Sequence, residues 1–206
     1  LSQLPSPRLF HTHLPYTSVP ESIKTSGCRI LYITRNPLDT IVSLMHFGSK
    51  PMKKFLGVPG IQDYFEEFCA GRIVHGPFFE HVLEYWKLSL EQPNKVLFLK
   101  YEDLKENPSF ELKKVAQFVG MPFSPEEESQ GVIQAIIEMC KINNLKEMEG
   151  NKSGVINKFY DKKSYFRKGE IGDWTNYFTP TMEERMKKLM DDKLSGTGLS
   201  FQLLPH

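Results

Sequence analysis

Residues 28–37, C-R-I-L-Y-I-T-R-N-P, constrain the fold more than any other stretch. Cys28 to Thr34 is a short run rich in apolar and β-branched residues, so it reads as a buried strand. Asn36-Pro37 follows at once. Asn36 can cap a helix, Pro37 suits the first helical position because its missing N–H has no partner to lose there, and Asp39 favours the positive helix end. A strand that passes through a tight turn into a helix is half of an α/β unit.

The same order recurs downstream. Val96 to Leu99 (V-L-F-L) is a second continuous apolar run, followed by Tyr101-Glu102-Asp103 and a helix that opens at Asn107-Pro108 and closes at Gly120. Between the two runs, Phe78, His81, Val82, Tyr85, Trp86 and Leu88 recur at helical spacing after Gly76-Pro77, which predicts an amphipathic helix. Ser124-Pro125-Glu126-Glu127 is a capping box that predicts a helix to Met139, and Thr179-Pro180 opens a last helix to Leu194. Continuous strands alternating with helices predict an α/β fold, a central parallel sheet flanked by helices and buried on both faces. With 206 residues, 40% of them apolar, the chain reads as a single domain over 1–206. Ligands of such sheets bind beyond the carboxyl ends of the strands, so the residues there matter first.

Charge limits the partners. Twenty-six Lys and Arg against 25 Asp and Glu leave a net charge of +1, which excludes a global basic field for nucleic acid or an anionic membrane. Any anion site must be local. Cys28, Cys69 and Cys140 are odd in number, far apart and outside any C-x-x-C pair; they argue against a disulfide framework or a zinc site and fit a reducing, cytoplasmic compartment. The longest apolar stretches, such as Ile30 to Ile33, fall far short of the roughly 20 residues of a membrane span.

Arg35 is the first residue after the first strand, and Ser43 lies on the helix that follows, so both can face the sheet's carboxyl edge. A planar fork of donors, a hydroxyl and the free N–H groups of a helix start suit a phosphate. On position alone, an Arg35–Asp39 ion pair with Ser43 turned to a neighbouring helix is the equal alternative. F-R-K-G-E-I-G-D-W, residues 166–174, adds Arg167, Lys168 and Gly169: two cations and a glycine that lets backbone approach an oxyanion. It lies in a stretch from Asn143 to Tyr177 with little regular pattern, and long irregular stretches in compact domains are usually functional or disordered. Lys53-Lys54, Lys113-Lys114 and Lys187-Lys188 read as solvated runs. F-H-T-H-L-P-Y places His11 and His13 on one side of an extended piece. Metal ligation lacks accompanying Cys, His or acidic residues at ligand spacing, whereas His13 has the chemistry of a general base.

Five motifs then occur in order across essentially the whole chain: T-H-L-P (12–15), Y-I-T-R-N-P-x-D-x-x-V-S (32–43), F-x-x-G-x-x-x-x-G-P-x-x-E-H (68–81), K-Y-E-D-L-K-E-N-P (100–108) and F-R-K-G-x-x-G-D-W (166–174). Together they resemble the soluble sulfotransferases, and T-P-T-M-E-E (179–184) resembles the plant cytosolic members. The resemblance implies a fold related to nucleotide kinases. It also implies transfer of a sulfuryl group from 3′-phosphoadenosine 5′-phosphosulfate (PAPS) to a hydroxyl or amine of a small acceptor, with no metal. Carried over by position, His13 matches the catalytic base, Arg35 and Ser43 match 3′-phosphate ligands, and Tyr101 matches a contact at the adenine end. Arg167, Lys168 and Gly169 match the other half of the 3′-phosphate clamp.

The sequence departs from that pattern in places. His11 stands where animal members carry Lys, and Lys141-Ile142 stands where relatives often carry Ser-Phe. The animal dimer motif K-x-x-x-T-V-x-x-x-E is met by Thr175, Thr179, Pro180 and Glu184, so its Lys and Val are missing and a monomer is expected. The family's P-K-S-G-T-T-W loop, which cradles the 5′-phosphosulfate, does not occur. The expectation is therefore an N-terminally truncated chain that keeps part of the 3′-phosphate site and has little transfer activity of its own. The alternative is a noncatalytic nucleotide- or partner-binding homologue; the missing loop and the F-R-K-G segment both argue against a nucleotide kinase.

Overall fold

The computed structural model describes residues 7–52, 60–152, 155–157 and 160–204; Lys53-Lys54 lie outside them. A 3-10 turn at Tyr16–Ser18 and a short helix α1 (Glu21–Thr25) lead into β1 (Ile30–Thr34), α2 (Pro37–Met52), α3 (Ile61–Cys69) and α4 (Phe78–Glu91). Next come β2 (Val96–Lys100), α5 (Tyr101–Glu106), α6 (Pro108–Val119), α7 (Pro125–Ser129) and α8 (Val132–Met139). The chain continues through α9 (Ile142–Glu147), α10 (Glu149–Lys152), an antiparallel pair β3 (Val155–Asn157) and β4 (Tyr160–Asp161), and 3-10 turns at Lys162–Tyr165 and Asp173–Asn176 to α11 (Pro180–Leu194). No helix among the described residues is long and apolar enough to cross a membrane.

β1 and β2 pair in parallel, from Ile30 opposite Val96 to Thr34 opposite Lys100. Arg35 and Tyr101 each stand one residue beyond those paired ends, so the register makes them neighbours at the carboxyl edge. β2 is largely buried, through Val96, Phe98 and Leu99. β1 is covered on one face only: Tyr32 stacks on Tyr85 of α4 with ring centroids 4.2 Å apart, while Leu31 and Ile33 on the opposite face keep 38% and 58% of their surface exposed. The expectation of two buried faces is thus not met at β1 in this chain: α4 covers the Tyr32 face, and the Leu31–Ile33 face stays open.

Asn36 starts α2 as predicted, and Leu38, Ile41 and Val42 at helical spacing turn into one apolar cluster with Phe65, Phe68 and Met186. Asn107 caps α6 through Phe110 N–H, and Gly120 ends it at φ +82°. The Ser124–Glu127 capping box is present, yet its helix stops at Ser129. Gly131, at φ +77°, takes the left-handed conformation that no α-helix can continue, so α8 begins anew. The stretch 143–177 is also less irregular than its sequence suggests. Its elements run only two to six residues each, too few for a period to register in the sequence.

Phe65 has no exposed surface. Replacing it with Ala removes a large core side chain and leaves a cavity, so urea unfolding should show a loss of about 3–5 kcal/mol. The slope of free energy against urea should not change.

Candidate active site

The site grows from the two strand ends. Asn36 is fully buried and fixes the first turn: its Oδ1 accepts the Asp39 N–H at 2.8 Å, while its own N–H and Nδ2 donate to Glu102 Oε1 at 2.9 and 3.0 Å. Glu102 thereby ties the start of α2 to the start of α5. Burial pushes its carboxyl up, against the bonds from Asn36 and the nearby Arg35.

Asp39 brings in a third segment. Its Oδ2 accepts from Asn36 Nδ2 and from the Gly172 N–H, both at 2.9 Å, and its Oδ1 accepts from the Trp174 N–H at 3.1 Å. One buried carboxylate therefore joins the R-N-P-L-D turn to the G-D-W end of the 166–174 segment. Arg35 Nη2 lies 3.1 Å from Asp39 Oδ2 and also donates to the Glu170 carbonyl, and the guanidinium sits over the Tyr101 ring at 4.8 Å. Arg35 thus makes the ion pair with Asp39 that the sequence leaves as the alternative reading, and it also faces the F-R-K-G segment. Its Nε is buried without a partner among the described residues.

Arg167 Nη1 and Lys168 Nζ each meet a different oxygen of Asp173 at 2.5 Å, and Asn176 Nδ2 adds a bond at 3.0 Å. Burial works to raise the Asp173 carboxyl, but Lys168 and Arg167 hold it down at about 2; Asp173 in turn raises Lys168. The cations keep donors to spare, since a guanidinium carries five N–H and an ammonium three. Gly169 has φ +69°, and a Cβ there would come within 2.9 Å of Ile142 Cδ1. The left-handed backbone is what favours glycine there, since the Ile142 side-chain end could shift; α9 also supports the segment through Lys146 Nζ on the Arg167 carbonyl at 2.9 Å. Ser43 stands exposed on α2, and one turn further His46 bonds the Tyr177 hydroxyl at 2.8 Å. Burial, then the charge of Arg167, lowers the His46 pKa.

Arg35, Tyr101, Arg167, Lys168 and Gly169 thus belong to one connected assembly, with Ser43 on the adjoining helix. Composition and spacing do not mark Asp39, Glu102 and Asp173 as its buried connectors. The one signal is that each acid sits a few residues from a cation of its own motif.

His13 belongs to a second assembly. The Leu14 carbonyl accepts from Tyr85 Oη at 2.9 Å and lies 3.3 Å from His81 Nε2, and the N–H groups of Tyr16 and Thr17 donate to the Glu84 carboxylate, each at 2.9 Å. T-H-L-P is thereby docked on α4. Burial, with Glu84 and Tyr16, pushes the Tyr85 hydroxyl up to about 12, so it remains a donor. The His13 ring stacks on His75 with centroids 4.6 Å apart, and His11 is exposed. Both assemblies hang on β1: Tyr32 stacks on Tyr85, and Arg35 follows it just past the strand end. Among the described residues no group of three or more His, Cys, Asp or Glu could hold a metal ion.

The Sulfotransferase domain family matches residues 1–198. The chain belongs to the sulfotransferases. This sulfotransferase is 46% identical over 196 residues to cytosolic sulfotransferase 5 of Arabidopsis thaliana, a match covering 95% of this chain and 61% of that protein. It is 47% identical over 190 residues to flavonol 4′-sulfotransferase of Flaveria chlorifolia, covering 91% and 59%. The crystal structure of mouse sulfotransferase SULT7A1 complexed with PAP superposes with a TM-score of 0.78 at 29% identity, covering 95% of this chain and 68% of that one. The parallel pair flanked by helices is thus part of a sulfotransferase fold, and the chain spans about three-fifths of the length of the curated relatives it matches.

A carboxyl held below its ordinary value contributes stability that is complete above its unfolded pKa and is lost as pH falls through the folded one. For Asp173 that window runs from about pH 4 down to about 2. Melting temperatures taken from pH 6 to pH 2 should show the advantage of the wild type over Asp173→Asn holding steady above about pH 5 and shrinking below pH 4. A gap that stays constant to pH 2 would contradict the pairing.

Proposed function

We propose that this chain binds PAPS and its 3′,5′-bisphosphate product (PAP), and that it serves transfer of the sulfuryl group to a hydroxyl of a small acceptor with His13 as general base. One observation carries the reading. Buried Asp39 holds the Arg35 turn against the 166–174 segment, so the run that carries Arg167 and Lys168 is joined to the carboxyl end of the parallel strands. The donor set fits a phosphate: spare N–H groups on three cations, among them the Arg35 Nε that has no partner among the described residues. The PAP bound to the mouse relative supports the same ligand class.

In this reading Arg35 and Ser43 hold the 3′-phosphate from one side, and Arg167, Lys168 and the Gly169 backbone hold it from the other. Tyr101 serves the adenine end. The bound donor supplies an activated sulfuryl group. His13 takes the proton of the acceptor hydroxyl as that oxygen becomes the nucleophile, a contribution of about 10²–10⁴-fold. Holding the acceptor in line with the reacting bond contributes more, roughly 7–11 kcal/mol of the barrier for a well-oriented pair. No metal has a part in these steps. The acceptor is a small hydroxyl compound, a class that includes the flavonol in the Flaveria relative's name. The net charge of +1 gives no reason to expect nucleic acid or membrane as a partner. The chain acts as a monomer in the cytoplasm, where the Arabidopsis relatives are named as cytosolic.

Thermal shift tests the clamp. A ligand at 100 times its dissociation constant that binds only the folded chain stabilises it by about 2.7 kcal/mol, so PAP should raise the melting temperature and ADP should raise it less at equal concentration. Arg167→Ala should erase that preference; equal responses to both nucleotides in the wild type would remove the clamp. Replacing His13 with Ala should lower sulfuryl transfer by about 10²–10⁴-fold and leave the PAP response unchanged. Undiminished transfer would remove His13 as the base.

A further inference from the structure

His75 lies in the connection between α3 and α4 at φ +65°, a left-handed conformation uncommon for a residue with a side chain. Its carbonyl lies 3.0 Å from His81 Nδ1, and the other ring nitrogen of His81 lies 3.3 Å from the Leu14 carbonyl. One imidazole on α4 therefore spans two stretches of backbone, that of His75 and that of the residue after His13. Tyr85 Oη holds the same Leu14 carbonyl at 2.9 Å. With both backbones anchored to α4, the His13 and His75 rings meet face to face, their centroids 4.6 Å apart and their planes 23° from parallel.

We propose that His75 is a positioning residue for His13: it covers one face of that imidazole and fixes its orientation, leaving the ring edge with its two nitrogens open for proton transfer. This rests on the reading of His13 as general base. Residues 11–14 are exposed, so an unsupported imidazole there would sample several rotamers, and a base is useful only while its nitrogen stays within hydrogen-bond reach of the acceptor. A stacked ring limits that freedom without occupying the nitrogens. The partner must also stay neutral when His13 gains a proton, because two stacked imidazolium ions repel. Desolvation, then His13 and His81, keeps His75 below its ordinary value, in keeping with that role. The other titratable groups around the pair are His81, Tyr85 and Glu84 from α4, Tyr32 from β1, and His11 on the same segment.

The test reads the rings themselves in this 206-residue chain. Nuclear Overhauser contacts between the His13 and His75 ring protons are expected in the wild type, and their absence overturns the proposal whether or not any variant folds. Long-range nitrogen–proton spectra should show the His13 ring protons shifted upfield by the His75 ring in the wild type. In His75→Phe the His13 ring keeps its upfield ring-current shift. In His75→Ala the shift is lost and the two neutral tautomers of His13 average. A His13 spectrum that is the same in wild type and His75→Ala overturns the inference while leaving the base reading in place. A stack seen in solution together with undiminished transfer by His13→Ala removes the base reading, and the positioning role falls with it.

Discussion

Asp39 is a carboxylate with no access to water, and it has a donor on every side. Asn36 Nδ2, the Gly172 and Trp174 N–H groups and the Arg35 guanidinium converge on its two oxygens. A buried charge is tolerated only when so satisfied, and removing it would leave two backbone N–H groups and a cation unpaired in the interior. That demand draws together two segments 133 residues apart in sequence. Without it, Arg35 and the Arg167-Lys168 pair would have no shared location, and the carboxyl edge of the sheet would present cations that do not converge.

The electrostatics of the site follow from its connectors. Three cations stand against Asp39 and Asp173, so the cluster holds little excess charge, much as the whole chain holds a net +1. In the proposed reading, selectivity for a phosphate comes from the direction of unspent N–H donors, which act at short range, rather than from a long-range field. The two carboxylates set the angles of those donors before any ligand arrives. Preorganisation of this kind lowers the ordering cost of binding.

β1 relates this anion site to the histidine side. Tyr32 faces α4, where Tyr85, His81 and Glu84 hold the T-H-L-P segment, and Arg35 leaves the same strand towards the cation cluster. A rigid strand thus sets the spacing between the Arg35 turn and the T-H-L-P segment. Placement on paired strand ends is more exact than placement on two independent loops, because the ladder from Ile30–Val96 to Thr34–Lys100 fixes both ends at once.

Local contacts were legible in the amino-acid order. The Asn36 cap, the Asn107 cap, the Ser124–Glu127 box and the Gly120 stop all involve partners within four residues, so residue type and spacing suffice to foresee them. The motifs singled out His13, Arg35, Tyr101 and the 167–169 step as candidates for the same reason: each is a short run with its own chemistry. The break at Gly131 and the short elements of 142–165 escaped, since one left-handed glycine or a single turn leaves no period to detect. Tertiary structure alone decided which runs meet. Strand register put Tyr101 under Arg35, Asp39 chose Gly172 and Trp174, Ile142 came to rest on Gly169, and His75 came to rest on His13. Those pairings depend on how helices and strands close over a common core, and contact between distant segments imprints no spacing on the chain that makes it.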